Sequence, residues 1–214
     1  MKSIVVLAGA SGVGKTSVAK KILEKNENFM LVRSATTRAP RGDGHDGEYI
    51  YFSEEDFGGL ILRDELLEYM NYGGNFYGTP KSEIDLAFSQ NKIPLLILDL
   101  VGVQTLRERE LDFSVFVFYI YDELSVIEKR LYERELVKNP SVSALETFMK
   151  RKTANRRDYA SLPEIADKFD AFVKNEKIAD TAEEIINLFH LLSSGKEIRD
   201  SRLEIAKALS LSAK

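Results

Sequence analysis

The chain of 214 residues contains no cysteine. That absence removes disulfides, a thiol nucleophile and cysteine-ligated zinc, and it suits a cytoplasmic protein. Histidine is nearly as scarce. His45 and His190 stand far apart, with no acidic or imidazole companion at ligand spacing, so neither is given a metal or general-base role. Positive charge is not in excess either: 30 Lys and Arg against 34 Asp and Glu leave a net charge of −4, which offers no broad basic face to nucleic acid or anionic lipid. No apolar run approaches the roughly 20 residues needed to cross a bilayer. The first such run, Ile4 to Ala8, ends in glycine and reads as a core strand rather than a signal peptide. Repeats and low-complexity tracts are missing as well. With 44% apolar and 30% charged residues, the chain is expected to form one α/β domain with small-molecule partners. Monomer and homo-oligomer both stay open.

What the sequence does have is Gly9-Ala10-Ser11-Gly12-Val13-Gly14-Lys15-Thr16, which fits G-x-x-x-x-G-K-[ST]. An apolar strand precedes it, and Val18, Ala19, Ile22 and Leu23 mark one face of a helix after it. Strand, glycine turn and helix are the setting a phosphate-binding loop requires. The glycines let the backbone aim its N–H groups at an anion, and the helix N-terminus adds positive potential. Lys15 is expected to reach the outer phosphates, and the Thr16 hydroxyl to help hold Mg²⁺. A nucleoside triphosphate is the expected ligand.

Further along, Met30 to Val32 reads as a short strand. Ser34-Ala35-Thr36-Thr37-Arg38-Ala39-Pro40-Arg41 reads as an irregular segment that gathers hydroxyls and two arginines around an anion. Tyr49 to Phe52 is strand-like, and Ser53 caps a short helix. Leu66 to Tyr72 is an amphipathic piece containing Glu68. The run from Gly73 to Pro80 is rich in turn residues, with a helix after it near Lys81 to Ser89. Ile93 to Asp99 and Phe113 to Tyr121 are buried parallel strands, the first ending in Asp99 as a Walker-B strand does. Leu124 to Arg134, Ser143 to Tyr159 and Thr181 to Leu192 read as helices, and Phe169 to Val173 as a last strand. Alternating strands and helices predict a three-layer fold with a parallel central sheet. The tail from Ser193 carries Ile198, Leu203, Ile205, Ala206, Leu209 and Leu211, the pattern of one more amphipathic helix, packed on the domain or on a partner.

Taken in order, Ser34-x-Thr36-Thr37-Arg38-x-Pro40-Arg41, Tyr49, Leu67-Glu68-Tyr69 and Asn75-Phe76-Tyr77-Gly78-Thr79, together with the glycine loop, resemble the guanylate kinase family over residues 1 to about 192. The resemblance implies a P-loop nucleoside monophosphate kinase using ATP and Mg²⁺, with an acceptor-binding insertion over about 34–90 and a lid over about 130–155. It implies that Arg38, Arg41, Tyr49 and Tyr77 grip the acceptor phosphate, while Ser34, Glu68 and Thr79 read guanine. Chemistry agrees: guanidinium pairs and phenols suit a monophosphate dianion, and a carboxylate suits the two donors on the guanine edge. Arg130, Arg134 and Arg151 become the cations of the lid and of the transferring phosphoryl, with Asp99 orienting the hydration shell of Mg²⁺ and Asn175 in the adenine-contacting loop.

Two positions depart from the family pattern. Val101 stands where a second guanine-reading carboxylate is expected, and Glu135 follows Arg134 where a glycine is expected. The first leaves open transfer to a different nucleoside monophosphate or other phosphorylated acceptor. A non-catalytic module related to the family is the alternative of another class, and the intact Lys15 and Thr16 speak against it.

Overall fold

In the computed structural model, which describes residues 2–40, 46–72, 74–137 and 140–213, β1 (Ser3–Ala8) lies at the centre of a five-stranded sheet. Its neighbours are β7 (Ile93–Ile97) and β8 (Ser114–Tyr121), with β2 (Phe29–Leu31) and β9 (Ala171–Lys174) at the edges, all parallel. Residues Ile4 to Ala8 are buried without a break, because helices cover both faces. The alternation of β8 shows the two layers. Phe116 packs edge-on against Phe189 of α7 (Ile178–Ser193), and Tyr119 packs against Tyr159 of α6 (Val142–Ile165). α1 (Lys15–Lys25) packs against α7, and α8 (Arg202–Ser212) against α6. The expected three-layer α/β arrangement is therefore present.

A second, four-stranded sheet runs β4 (Tyr49–Tyr51), β3 (Ser34–Thr36), β6 (Asn75–Pro80), β5 (Leu66–Tyr72). β3 and β4 are parallel, and the other pairs antiparallel. Its small core joins Ala35, Phe57 of α2 (Glu54–Leu62) and Leu66, with Phe57 stacked on Phe76 at 5.5 Å. The chain leaves the central sheet at Val32 and returns through α3 (Lys81–Ser89). Arg33 and Glu83 bridge those crossings in a two-pronged pair of 2.6 and 2.9 Å, the geometry that makes guanidinium–carboxylate contacts directional.

Three sequence expectations change here. Ser34–Thr36 and Asn75–Pro80, read as irregular or turn-like, are paired strands: Asn75–Pro80 forms a hairpin with Leu66–Tyr72, and its other edge pairs with the distant Ser34–Thr36. The helix expected to run to Arg134 stops as α5 (Leu124–Tyr132), and Glu133–Val137 forms a π-helical turn. Arg130 therefore lies in the α-helix and Arg134 in the π-turn, and both line one cleft. The tail helix packs on the domain: Ala206 and Leu209 are buried, Ser210 Oγ donates to the Ala160 carbonyl, and Arg202 donates to the Phe169 carbonyl.

Candidate active site

The glycine loop leaves β1 at the C-terminal edge of the sheet, where ligands of open α/β folds bind. Gly12 and Gly14 have φ of +88° and +103°, and a Cβ on Gly14 would meet the Asn175 amide at 2.6 Å. No other residue type fits there without moving that amide. Lys15 folds back under the loop, its ammonium donating to the Gly9 carbonyl at 2.7 Å and the Ala10 carbonyl at 3.1 Å. Burial pushes this amine down to about 8, opposed by the charges of Asp99 and Asp158 and assisted by those of Arg134 and Arg151. At neutral pH it stays a cation, loosely held for a better acceptor.

Two asparagines brace the loop. Asn155 of α6 accepts from the Ser11 N–H at 2.8 Å and donates to the Ser11 carbonyl at 2.9 Å. Arg151, one helical turn earlier, donates to Ser11 Oγ at 3.1 Å. Asn175 donates to the Val13 carbonyl at 2.6 Å and accepts from the Thr181 hydroxyl at 3.1 Å. Asn175 thus holds the loop and also lines the cleft beside it. Asn155 was not singled out from the sequence, although Arg151, Asn155 and Asp158 recur at i, i+4 and i+7, the spacing of one helix face. Burial raises the Asp158 carboxyl above the usual range, against the pull of Arg157.

A cleft of about 1220 Å³ is lined by the loop with Lys15 and Thr16, by Arg130, Arg134, Glu135, Arg151 and Asn175, and on its far side by Arg38, Glu48 and Tyr49. A smaller cavity of about 830 Å³, shared through Arg38 and Arg151, adds Tyr77, Lys150 and Arg157. The Arg38 guanidinium lies over the Tyr49 ring at 5.1 Å, and the Tyr49 and Tyr77 rings meet edge-on at 6.4 Å. Three of the four residues expected to grip a monophosphate are therefore together; Arg41, the fourth, lies outside the described residues. Among the described residues, Nη1 of Arg38 and Nη1 of Arg130 are buried without a hydrogen-bond partner. Buried donors left this way are rare and ask for an acceptor. Arg130 is otherwise held by Asp122 at 3.0 Å.

Glu68 sits on β5 and is nearly sealed from solvent, at 4% exposure. The Thr79 hydroxyl donates to Glu68 Oε1 at 2.6 Å. Burial pushes the Glu68 carboxyl up to about 7; the Thr79 hydrogen bond works against that shift and the Asp99 charge adds to it. The Ala35–Gly78 register places Ser34 and Thr79 as the next residues outward on adjoining strands. Asp99 caps α4 (Leu100–Arg107), its Oδ1 accepting from the Gly102 N–H at 2.8 Å. Val101, the second residue of that helix, is half-exposed, with no carboxylate at its position.

A polyphosphate loop facing an Arg/Tyr cage across one cleft, on a parallel α/β sheet, defines an ATP-dependent nucleoside monophosphate kinase. The comparisons with known proteins agree. Residues 1–191 match the family model described as guanylate kinase, and the chain belongs to the guanylate kinase family. It is 30% identical over 191 residues to a guanylate kinase of Prochlorococcus marinus subsp. pastoris, spanning 88% of this chain and 97% of that one. Against a guanylate kinase of Onion yellows phytoplasma it is 33% identical over 185 residues, spanning 86% and 82%. The solved guanylate kinase structure from Anaplasma phagocytophilum superposes with a TM-score of 0.61 at 24% identity, covering 94% of this chain and 89% of that one, a likeness of fold. Family members use ATP and generally a divalent metal. Among the described residues, no helix is long and apolar enough to cross a membrane.

Proposed function

We propose that the chain transfers the γ-phosphoryl group of ATP to GMP or dGMP, giving ADP and GDP or dGDP. The observation that carries this reading is the single cleft in which Lys15 and the loop face Arg38 and Tyr49. Loop amides and Lys15 hold the donor phosphates, while Arg38, Tyr49 and Tyr77 hold the acceptor phosphate, with Arg41 assigned by resemblance. Arg130, Arg134 and Arg151 approach the space between and neutralise charge that spreads over the transferring group. The reaction asks for positioning more than for proton transfer, which agrees with a site built of cations and amides. Closure of the segment around 130–155 over the donor excludes water, so that the acceptor phosphate is the available nucleophile.

Glu68, Thr79 and Ser34 read the base. An ionised Glu68 accepts from guanine N1–H and N2–H₂. The Thr16 hydroxyl and the Asp99 carboxylate are hard oxygen donors of the kind Mg²⁺ takes and would hold it. Held there, the ion would supply neutralisation of the donor phosphate charge. Asp99, with Oδ1 tied to Gly102, is positioned to orient its hydration shell.

An ADP-release assay over GMP, dGMP, AMP, IMP, CMP, UMP and dTMP tests the proposal, with turnover expected on the guanine nucleotides. Turnover on none of them would end it. A second reading, with a different acceptor base, is motivated by Val101. Restoring a carboxylate with Val101→Asp is expected to raise the GMP-to-AMP ratio of kcat/KM by about tenfold, the effect of one satisfied buried donor. An unchanged ratio would remove Val101 from base selection.

A further inference from the structure

Glu135 occupies an unusual place for a carboxylate. It lies in the π-helical turn Glu133–Val137, within the cleft that holds Lys15 and the glycine loop. A π-turn inserts one residue into the helical spacing and is common where side chains are re-aimed. One oxygen of Glu135 takes two contacts from Arg134, at 2.9 Å from Nε and 2.8 Å from Nη2. The same oxygen lies 3.6 Å from Nη1 of Arg151, and both of these side chains are under 20% exposed. That Arg151 nitrogen also donates to Ser11 Oγ. A chain of contacts therefore runs from Glu135 through Arg151 to the phosphate loop.

Three cations, Lys15, Arg134 and Arg151, are crowded here closely enough that the two arginines help lower the Lys15 amine. Without an anion such a cluster repels itself. Glu135 supplies one. We propose that Glu135 is a built-in counter-ion: it holds Arg134 and Arg151 while the donor site is empty and surrenders them to the donor polyphosphate, which competes for the same guanidinium groups. The glycine expected at this position has no side chain to do so. The consequence is a weaker but gated donor site, in which the transfer arginines are released as the donor nucleotide arrives. This rests on the assignment of the cleft to ATP.

Calorimetric titration of the full chain with ADP and with ATP, both with Mg²⁺ and without acceptor, tests it. Glu135→Gln keeps the shape and removes the charge, and Glu135→Gly removes the side chain. Glu133→Gln makes the same change in net charge at an exposed neighbour that forms no ion pair with an arginine among the described residues. Both Glu135 variants are expected to bind ADP and ATP about fivefold more tightly, the equilibrium equivalent of one partly shielded ion pair, and Glu133→Gln less than twofold. A thermal melt confirms that each variant is folded. Unchanged or weaker binding by Glu135→Gln would overturn the counter-ion role, as would equal tightening by Glu133→Gln. Reduced kcat with unchanged affinity would overturn it too, since that outcome assigns Glu135 to aligning the arginines. A wild-type chain that binds neither nucleotide would instead overturn the ATP assignment, and this inference with it.

Discussion

Replacing Glu68 with glutamine should make the protein more stable and less able to recognise its acceptor, with both effects set by pH. The Glu68 carboxyl rises from 4.5 to about 7 on folding, chiefly through burial, a difference of about 3 kcal/mol between its neutral and ionised forms. For a carboxyl whose pKa is raised by folding, the associated stability is complete below 4.5 and is lost as pH climbs through 7. At pH 8 the wild type therefore carries a buried charge that Glu68→Gln lacks, and the amide oxygen still accepts from Thr79. The variant is expected to melt about 6–12 °C higher at pH 8, at ~2–4 °C per kcal/mol for a chain of this size. At pH 5 the gap should narrow to under about 1 kcal/mol, because Glu68 is then neutral in the folded wild type and only the partial ionisation of the unfolded carboxyl still counts against it. Recognition runs the opposite way, since under the proposed guanine reading the base needs the ionised form. Below pH 7 the wild-type KM for GMP should rise about tenfold per unit. Glu68→Gln should retain only the dependence due to the second phosphate ionisation near ~6. Paired thermal melts and acceptor titrations from pH 5.5 to 8.5 supply both readouts. A stability gap of the same size at both pH values, or identical KM slopes in the two proteins, would refute the reasoning.

Asn155→Ala removes both hydrogen bonds to Ser11, each worth about 1 kcal/mol, and should raise the KM for ATP about tenfold or more while leaving the KM for GMP unchanged. A lower melting temperature with an unaltered KM for ATP would make Asn155 a packing residue only. Ending the chain at Ser194 withdraws Ala206 and Leu209 from their buried positions against α6, and should cost about 2–4 kcal/mol. An unchanged melting temperature would mean that α8 does not brace α6 in solution.

The P-loop was legible in the sequence because every interaction that forms it is local. An apolar run, glycines at positive φ and a helix start lie within 16 residues, and each follows from backbone preference and period. The same holds for β7 and β8, whose unbroken apolar stretches require two covered faces. Elsewhere the sequence pointed to the right residues in the wrong local setting. Ser34 to Thr36 and Asn75 to Pro80 carry turn-like composition, and their pairing with one another and with β4 and β5 makes them strands. The helix read through Arg130 and Arg134 changes at Glu133 to a π-turn that no composition announces, and both arginines still line the cleft. The Arg151, Asn155 and Asp158 spacing was present to be read, but nothing in α6 alone says that this face meets Ser11.

By itself the sequence determined which groups were available: a polyphosphate loop, an Arg/Tyr set, a carboxylate and hydroxyl for a base, and no thiol chemistry. Tertiary structure alone decided their states. It buried Glu68 beside Thr79 until its carboxyl sits near neutrality, brought Arg38 and Tyr49 across from Lys15, and set Glu135 between two arginines. Charge–charge energies and desolvation depend on distances through space, and those distances join positions from 15 to 155 that chain order keeps far apart.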